Sequence, residues 1–150
     1  MSTTDTVPST SGIEARPSNP IEVIEGLYAA FGRGDMTGML DLIDPDVDWS
    51  LQVDAPGGEL VPMLRNGRGH DAVQAYFGGV AELEFHVFEP RAFHVDGDTV
   101  LVELALDLSH HTTGKRAQLG EIHRFVVRDG KVVHYRPYVD TATLIDLFRT

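Results

Sequence analysis

The stretch Ala117–Asp140, AQLGEIHRFVVRDGKVVHYRPYVD, decides the fold because it predicts two β-strands joined by a tight turn. Pairs of valines stand on both sides of Asp129-Gly130, and an Asp-Gly dipeptide between apolar runs is a strong signal of a β-hairpin. Side chains on a strand alternate between two faces, so the length of the turn decides which residues share a face. The hairpin register therefore determines where the chemistry of this stretch lies.

Two registers fit the turn. If Asp129-Gly130 alone forms a two-residue turn, Arg128 pairs with Lys131. Glu121 and His123 then share a face with four residues of the second strand, which are Val132, His134, Arg136 and Tyr138. This arrangement mixes charged and apolar side chains on both faces of the hairpin.

The other register has a three-residue loop, Arg128-Asp129-Gly130, with Gly130 left-handed. It pairs Val127 with Lys131, so that His123 lies opposite Tyr135 and Glu121 opposite Pro137. One face is then mostly apolar and consists of Glu121, His123, Phe125, Val127, Val133, Tyr135, Pro137 and Val139. The other face collects Arg124, Arg128, His134 and Arg136. We favour this register because it separates the apolar side chains from the charged ones, and a slip by one residue would exchange the two faces.

Three polar groups interrupt the apolar face: the carboxylate of Glu121, the imidazole of His123 and the phenol of Tyr135. Residues two apart on a strand are about 6.6 Å apart, and directly opposed Cβ atoms are about 4.5–5.5 Å apart. All three groups therefore reach one small ligand, and a carboxylate beside an imidazole suits general acid–base catalysis. The alternative is a buried network in which Glu121 and His123 satisfy each other and nothing is catalysed.

Length and composition restrict the class of protein. The chain has 150 residues, 42% of them hydrophobic, which suits one domain with a sizeable core. It carries 12 basic and 23 acidic residues, a net charge of −11, which argues against nucleic acid and anionic membranes as partners. Cysteine is absent, so disulfides and thiolate chemistry are excluded.

The first residues, MSTTDTVPSTSG, have neither the basic nor the apolar segment of a secretory signal. We expect residues 1–18 to form a disordered tail, residues 19–150 to form the domain, and the protein to be cytoplasmic. No apolar run approaches the roughly 20 residues of a membrane span.

The rest of the chain predicts helices first and strands last. Asn19-Pro20 begins a helix that ends near Gly32 and Gly34, and Asp35 caps a second helix that runs to Ile43. Alternation predicts a strand over Val47–Val53, and a third helix covers Gly69–Gly79. Four strands follow, over Leu83–Val95 with a bulge or edge at Pro90, over Thr99–His110 and over the hairpin. Thr141 caps a last helix, Ala142–Phe148.

This order predicts an α+β fold in which a curved antiparallel sheet wraps over the N-terminal helices as a cone-shaped barrel, closed by the short C-terminal helix. A pocket between the sheet and the first and third helices would be a typical ligand site. The chain shows no metal-ligand spacing, phosphate loop, nucleophile elbow or dinucleotide fingerprint. We therefore expect no metal and no cofactor.

Three segments resemble the SnoaL-like branch of the nuclear transport factor 2-like superfamily. They are LYAAFGRGDMTGMLDLIDPDVDWS (Leu27–Ser50), GHDAVQAYF (Gly69–Phe77) and FVVRDGKVVHYRPYVDTATLIDLF (Phe125–Phe148). The resemblance covers Pro20–Phe148 and implies the same fold. Its members include ketosteroid isomerases, limonene-epoxide hydrolases, polyketide cyclases and non-catalytic binders, so the fold does not settle the activity.

The resemblance also implies roles for individual positions. The general base of ketosteroid isomerases falls on Leu51, with Asp54 three residues later, and their oxyanion-hole tyrosine falls near Leu27, beside Tyr28. Their protonated acid falls on Glu121, so one of three sites keeps its chemistry. The epoxide-hydrolase acid falls on Pro137, which cannot serve. A polyketide cyclase of this type needs one carboxylate and a shaped cavity, a demand that Glu121 beside His123 meets.

The sequence therefore predicts a pocket for a small hydrophobic molecule, with Glu121, His123 and Tyr135 as catalytic residues. The expected substrate-binding residues are Leu27, Tyr28, Trp49, Leu51, Asp54, Pro137 and Val139. We expect a cofactor-free isomerase, cyclase or lyase that moves a proton on a carbonyl or polyketide-like compound. The alternatives are a non-catalytic ligand binder and an interaction module that forms a homodimer through the face bearing Arg124, His134 and Arg136.

Each alternative has its own structural signature. A cavity with Glu121 or His123 directed at open space favours the enzyme. A cavity in which the two groups satisfy each other favours the binder, and a barrel with no cavity favours the interaction module.

Overall fold

The computed structural model describes residues 19–49 and 57–150. The helices are α1 (Pro20–Gly32), α2 (Met36–Asp41), α3 (Gly69–Val80) and α4 (Thr141–Phe148), with a 3-10 turn at Pro62–Leu64. The strands are β1 (Ile43–Trp49), β2 (Gly67–Arg68), β3 (Leu83–Asp96), β4 (Thr99–His110), β5 (Arg116–Arg128) and β6 (Lys131–Tyr138). None of these helices has both the length and the apolar character that a bilayer crossing requires.

The strands of the described ranges form one sheet of six strands in the order β2-β1-β6-β5-β4-β3. The four long C-terminal strands pair in sequence as antiparallel neighbours. β1 joins the other edge of β6 in parallel, because the chain reaches it from α2 rather than through a hairpin. The predicted α+β architecture of helices first and a curved sheet last is confirmed.

The hairpin turn differs from the register that we favoured. Asp129 and Gly130 have φ values of 52° and 75°, and two successive positive φ values mark a two-residue type I′ turn. Arg128 therefore pairs with Lys131, and Val127 pairs with Val132 rather than with Lys131. The expected three-residue loop is wrong.

A β-bulge at Val133 nevertheless restores the predicted faces from His134 onward. The register shifts after the pair Val127–Val132, so that Val126 pairs with His134, and one extra residue is left on β6. As a result His123 lies opposite Pro137, not opposite Tyr135 as expected, and Glu121 is not opposite Pro137.

The bulge has a tertiary cause. Val132 pairs with Ile43 of the parallel strand β1, and its backbone N–H donates to the carbonyl of Leu42 at 2.8 Å. Val132 is thereby fully buried, whereas Val133, which we expected on the apolar face, is only half-buried.

The concave side of the sheet carries the core. Val100, Val102, Leu104, Leu106 and Leu108 of β4 are all buried, as their alternation predicts. β3 lies at one edge of the sheet, and its register shifts after Phe85 and again after Pro90. Bulges bend a strand and increase its twist, so the edge curls towards α1 and encloses the space beneath the helices.

Two element boundaries also differ from the expectation. The second helix ends at Asp41, and Ile43 already belongs to β1, where it pairs with Val132. The last helix is capped by Asp140, not by Thr141, because the Asp140 side chain accepts a hydrogen bond from the backbone N–H of Thr143 at 3.1 Å. The predicted strand beyond Trp49, over Ser50–Val53, lies outside the described residues.

Candidate functional site

A cavity lies between the concave sheet face and the helices α1, α3 and α4. Its volume is about 70 Å³, and one ordered water needs about 10–15 Å³. Apart from Glu121, His123 and three tyrosines, the described wall is apolar. Nine aromatic rings line it: Tyr28, Phe31, Trp49, Tyr76, Phe77, Phe85, Phe88, Phe125 and Tyr135. The cavity therefore suits a small, flat, apolar molecule.

A chain of hydrogen bonds joins three groups in the cavity wall. The Tyr28 hydroxyl of α1 lies 2.9 Å from Nδ1 of His123, and Nε2 of the same ring lies 3.0 Å from Oε1 of Glu121. Glu121 and His123 are two apart on β5, so they share the concave face. Both ends of the imidazole are thus held, and its orientation is determined by the first helix and the central strand together.

The bonding partners also determine where the protons lie. An ionised carboxylate only accepts hydrogen bonds, so Nε2 of His123 carries a proton and donates it to Glu121. In the neutral imidazole Nδ1 is then the acceptor, and the Tyr28 hydroxyl donates to it. The second carboxylate oxygen of Glu121 accepts no hydrogen bond from any residue in the described part of the chain. Glu121 therefore keeps one oxygen for a molecule in the cavity.

A second polar pair lies in the wall. The hydroxyls of Tyr76, on α3, and Tyr135, on β6, are 2.8 Å apart. Burial raises the pKa of Tyr28, Tyr76 and Tyr135 far above the usual phenol value, and the nearby charge of Glu121 raises all three pKa values further. All three phenols therefore stay protonated at neutral pH and serve as hydrogen-bond donors.

The Trp49 indole packs against Tyr135 with ring centroids 4.2 Å apart. Its Nε1 is buried and has no hydrogen-bond partner among residues 19–49 and 57–150. An unsatisfied buried donor is unfavourable, so Trp49 contributes its ring to the cavity wall at some expense in stability.

Most of the residues predicted from the sequence lie together in this wall. Glu121, His123 and Tyr135 line the cavity, as do five of the seven expected substrate-binding residues, Leu27, Tyr28, Trp49, Pro137 and Val139. The other two, Leu51 and Asp54, lie outside the described residues.

Tyr76 was missed as a site residue. The sequence marks it only as an apolar position of the third helix, and its partner Tyr135 is 59 residues away. Helical spacing alone would have placed Tyr76 and Phe77 towards the sheet, but it carries no information on which hydroxyl meets which.

The described residues contain no group of three or more histidine, aspartate or glutamate side chains that could hold a metal ion. Among the residues that the structure describes, the only charged or titratable groups in the cavity wall besides the tyrosines are Glu121 and His123. These groups can transfer protons and form hydrogen bonds with a molecule in the cavity.

Comparison with known proteins agrees with this architecture. A family model described as a SnoaL-like domain matches residues 24–135. No curated protein sequence matches the chain.

Solved structures match over nearly the whole domain. One is an NTF2-like protein of unknown function from Burkholderia pseudomallei, with 27% identity, a TM-score of 0.77, and coverage of 89% of this chain and 99% of that one. Another is TerC co-crystallised with polyporic acid, with 26% identity, a TM-score of 0.74, and coverage of 89% and 100%. A putative polyketide cyclase from Xanthomonas campestris shares the fold, with 21% identity, a TM-score of 0.65, and coverage of 87% and 96%.

Proposed function

Because the chain belongs to the SnoaL-like domain family, whose fold wraps a sheet around a cavity, we propose that it is a cofactor-free enzyme that moves a proton on a small hydrophobic carbonyl compound. Glu121 is the acid–base group, His123 and Tyr28 hold it in position, and Tyr135 donates a hydrogen bond to a ligand oxygen. Two proteins of similar structure are described as a putative polyketide cyclase and a putative isomerase, and both kinds of enzyme catalyse reactions of this class.

One observation carries the proposal. Glu121 lines an aromatic cavity with one carboxylate oxygen held by His123 and the other without a hydrogen-bond partner among the described residues. The hydrogen bond to one oxygen orients the carboxylate, and the other oxygen stays available to accept a proton from a ligand. The side chain of Glu121 is only 10% exposed, so a molecule bound in the cavity shields it from bulk water, and the carboxyl exchanges its proton with water between turnovers.

The reaction follows from these positions. Glu121 takes a proton from the carbon next to a carbonyl group, and the electron pair of the broken C–H bond moves onto the carbonyl oxygen. A phenolic O–H stabilises the charge that develops there. Return of the proton to another carbon gives an isomer. Attack of the carbanion on a second carbonyl of the same molecule gives a cyclised alkoxide, which takes the proton back from Glu121.

Exchange of α-protons tests this proposal without knowledge of the natural substrate. We expect wild-type protein to incorporate deuterium into the methyl group of acetophenone in D₂O, as followed by NMR. Glu121→Gln should lower the rate by about 10²–10⁴-fold, the usual contribution of a general base. The exposed Glu59→Gln variant, which removes the same charge, is the matched control and should exchange at the wild-type rate. Equal rates in all three proteins would refute the acid–base role.

A second candidate function is a non-catalytic binder of a small hydrophobic molecule. The mutual hydrogen bond of Glu121 and His123 favours it, because a carboxylate can be retained in a core simply as half of a satisfied pair. A relative that was co-crystallised with polyporic acid makes that compound a suitable probe. Saturable binding by a wild-type protein that exchanges no α-proton of any ligand would establish the binder.

We also propose that the protein forms a homodimer through the convex sheet face. Ile122 and Tyr138 are opposite each other on β5 and β6, are 40% and 45% exposed, and Arg136 lies over the Tyr138 ring at 4.7 Å. Aromatic residues and arginine are enriched in interface cores. Light scattering should show a dimer that Tyr138→Glu converts to a monomer, whereas a wild-type monomer at about 100 μM would refute this.

A further inference from the structure

We propose that the hydroxyl pair of Tyr76 and Tyr135, named here the tyrosine pair, binds one uncharged carbonyl oxygen of the ligand and excludes carboxylates. This makes Tyr76 a specificity-determining residue. The inference rests on the proposed function, since it names the ligand class of the same cavity, and it can fail separately.

Proton counting gives the capacity of the tyrosine pair. Two phenols own two O–H protons, and one proton is used in the 2.8 Å hydrogen bond between them. The other proton has no acceptor among the residues that the structure describes. Both residues line the cavity, so the pair offers one donor, and one ligand oxygen satisfies it.

The charge of the wall decides which oxygen is accepted. Within the ranges 19–49 and 57–150, no lysine or arginine lines the cavity. A bound carboxylate would be buried without a cation and close to the carboxylate of Glu121, and both effects are unfavourable. A ketone oxygen carries no charge and needs only the one donor that the tyrosine pair supplies.

The tyrosine pair also borders the part of the cavity where Glu121 is held. The His123 ring, which holds Glu121, lies 5.4 Å from the Tyr135 ring and nearly perpendicular to it. Burial keeps both phenols of the pair protonated, because it raises the pKa of each. A ligand whose oxygen accepts from the tyrosine pair therefore lies beside the acid–base group, as proton abstraction next to a carbonyl requires.

Three ligands of nearly equal shape test the inference: acetophenone has a carbonyl, ethylbenzene has a methylene in its place, and benzoate is a carboxylate. Dissociation constants are measured at pH 7 by protein-observed NMR titration for wild type, Tyr76→Phe, Tyr135→Phe and the double variant. Wild type should bind acetophenone at least tenfold more tightly than benzoate. The double variant should lose on the order of tenfold in acetophenone affinity and keep its ethylbenzene affinity within about twofold, because only the ketone loses a hydrogen bond.

The outcomes separate the inference from the proposed function. Equal losses for acetophenone and ethylbenzene would mean that the hydroxyls only support the fold, and benzoate binding as tightly as acetophenone would remove the charge argument; either result overturns the inference. Neither depends on whether Glu121→Gln abolishes exchange, which is measured separately. If the double variant does not fold, the single variants decide. The variant that lacks the hydroxyl donating to the ligand should lose affinity for acetophenone but not for ethylbenzene. If neither single variant shows this selective loss, the inference is overturned.

Discussion

Replacement of Tyr28 and His123, singly and together, tests whether the hydrogen-bond chain of the cavity acts as one unit. Tyr28→Phe removes the hydroxyl that lies 2.9 Å from Nδ1 of His123 and leaves that nitrogen without its partner. An unsatisfied buried polar group costs about 1–3 kcal/mol. The cavity has room for several waters, and a water can replace part of the lost bond, so we expect a loss near the lower end, about 1 kcal/mol.

His123→Leu should destabilise the protein more. It leaves both the Tyr28 hydroxyl and Oε1 of Glu121 unpaired, which corresponds to a loss of about 2–3 kcal/mol. In the double variant only Glu121 lacks its partner, so the combined loss should be smaller than the sum of the single losses by about 2 kcal/mol.

Urea denaturation measures these differences. Trp49 is the only tryptophan and lies in the cavity wall, so its fluorescence reports on unfolding at this site. With a denaturant slope of about 2 kcal/mol per molar, a loss of 1 kcal/mol lowers the midpoint by about 0.5 M. Glu59→Gln, at an exposed position that does not line the cavity, is the control and should leave the midpoint unchanged. Single losses that add within about 0.3 kcal/mol would refute the coupled chain.

Three further changes test the packing, the hairpin and the last helix by urea denaturation. Gly79→Ala should destabilise the protein by about 1–3 kcal/mol, because the added Cβ would lie 2.6 Å from a side-chain sulfur. In Gly78→Ala the added Cβ meets nothing within 4 Å, so this variant should be stabilised by up to about 1 kcal/mol. Equal effects of the two substitutions would contradict the packing. Gly130→Ala should destabilise by about 1–2 kcal/mol, because φ is +75° and the site is otherwise open; no change would contradict the type I′ turn. Hydrogen bonds from Thr143 lower the pKa of Asp140, so its stabilisation is present above the unfolded pKa and is lost as pH falls below about 4; Asp140→Ala should show a lower midpoint at pH 7 and a smaller difference at pH 2, and a constant difference would contradict the cap.

The sequence was sufficient for the architecture because local signals and the global fold agree. The cap at Asn19, the alternation over β4 and the Asp129-Gly130 turn each predict the element that the structure contains. The faces of the hairpin were also predictable. Side chains alternate along a strand, and only one of the two alternations puts the apolar residues around Phe125 on one face and the arginines on the other.

The register itself was not predictable from the hairpin alone. The bulge at Val133 depends on the parallel strand β1, which draws Val132 into the core beside Ile43. That contact joins residues about ninety positions apart, and a local pattern contains no information about it. The predicted face of Glu121 and His123 is therefore correct, although the predicted turn is wrong.

The candidate site was predictable to the same extent. Glu121 and His123 share a face by strand alternation, which is a local property. The hydroxyls of Tyr28 and Tyr76 reach their partners through helix packing, across 95 and 59 residues of sequence. Their aromatic character was visible in the sequence, but their partners depend on how α1 and α3 lie on the sheet.

The stereochemistry of α-proton exchange tests the central claim most directly. A base fixed on one side of the cavity by His123 can reach only one of two hydrogens on a prochiral carbon, whereas buffer or a mobile group removes both. We predict that wild-type protein in D₂O replaces only one of the two hydrogens on the α-carbon of 1-tetralone with deuterium, as measured by NMR. Glu121→Gln should replace neither hydrogen above the uncatalysed rate. Equal labelling of both positions, or unchanged single labelling in Glu121→Gln, would contradict the assignment of Glu121 as the group that moves the proton.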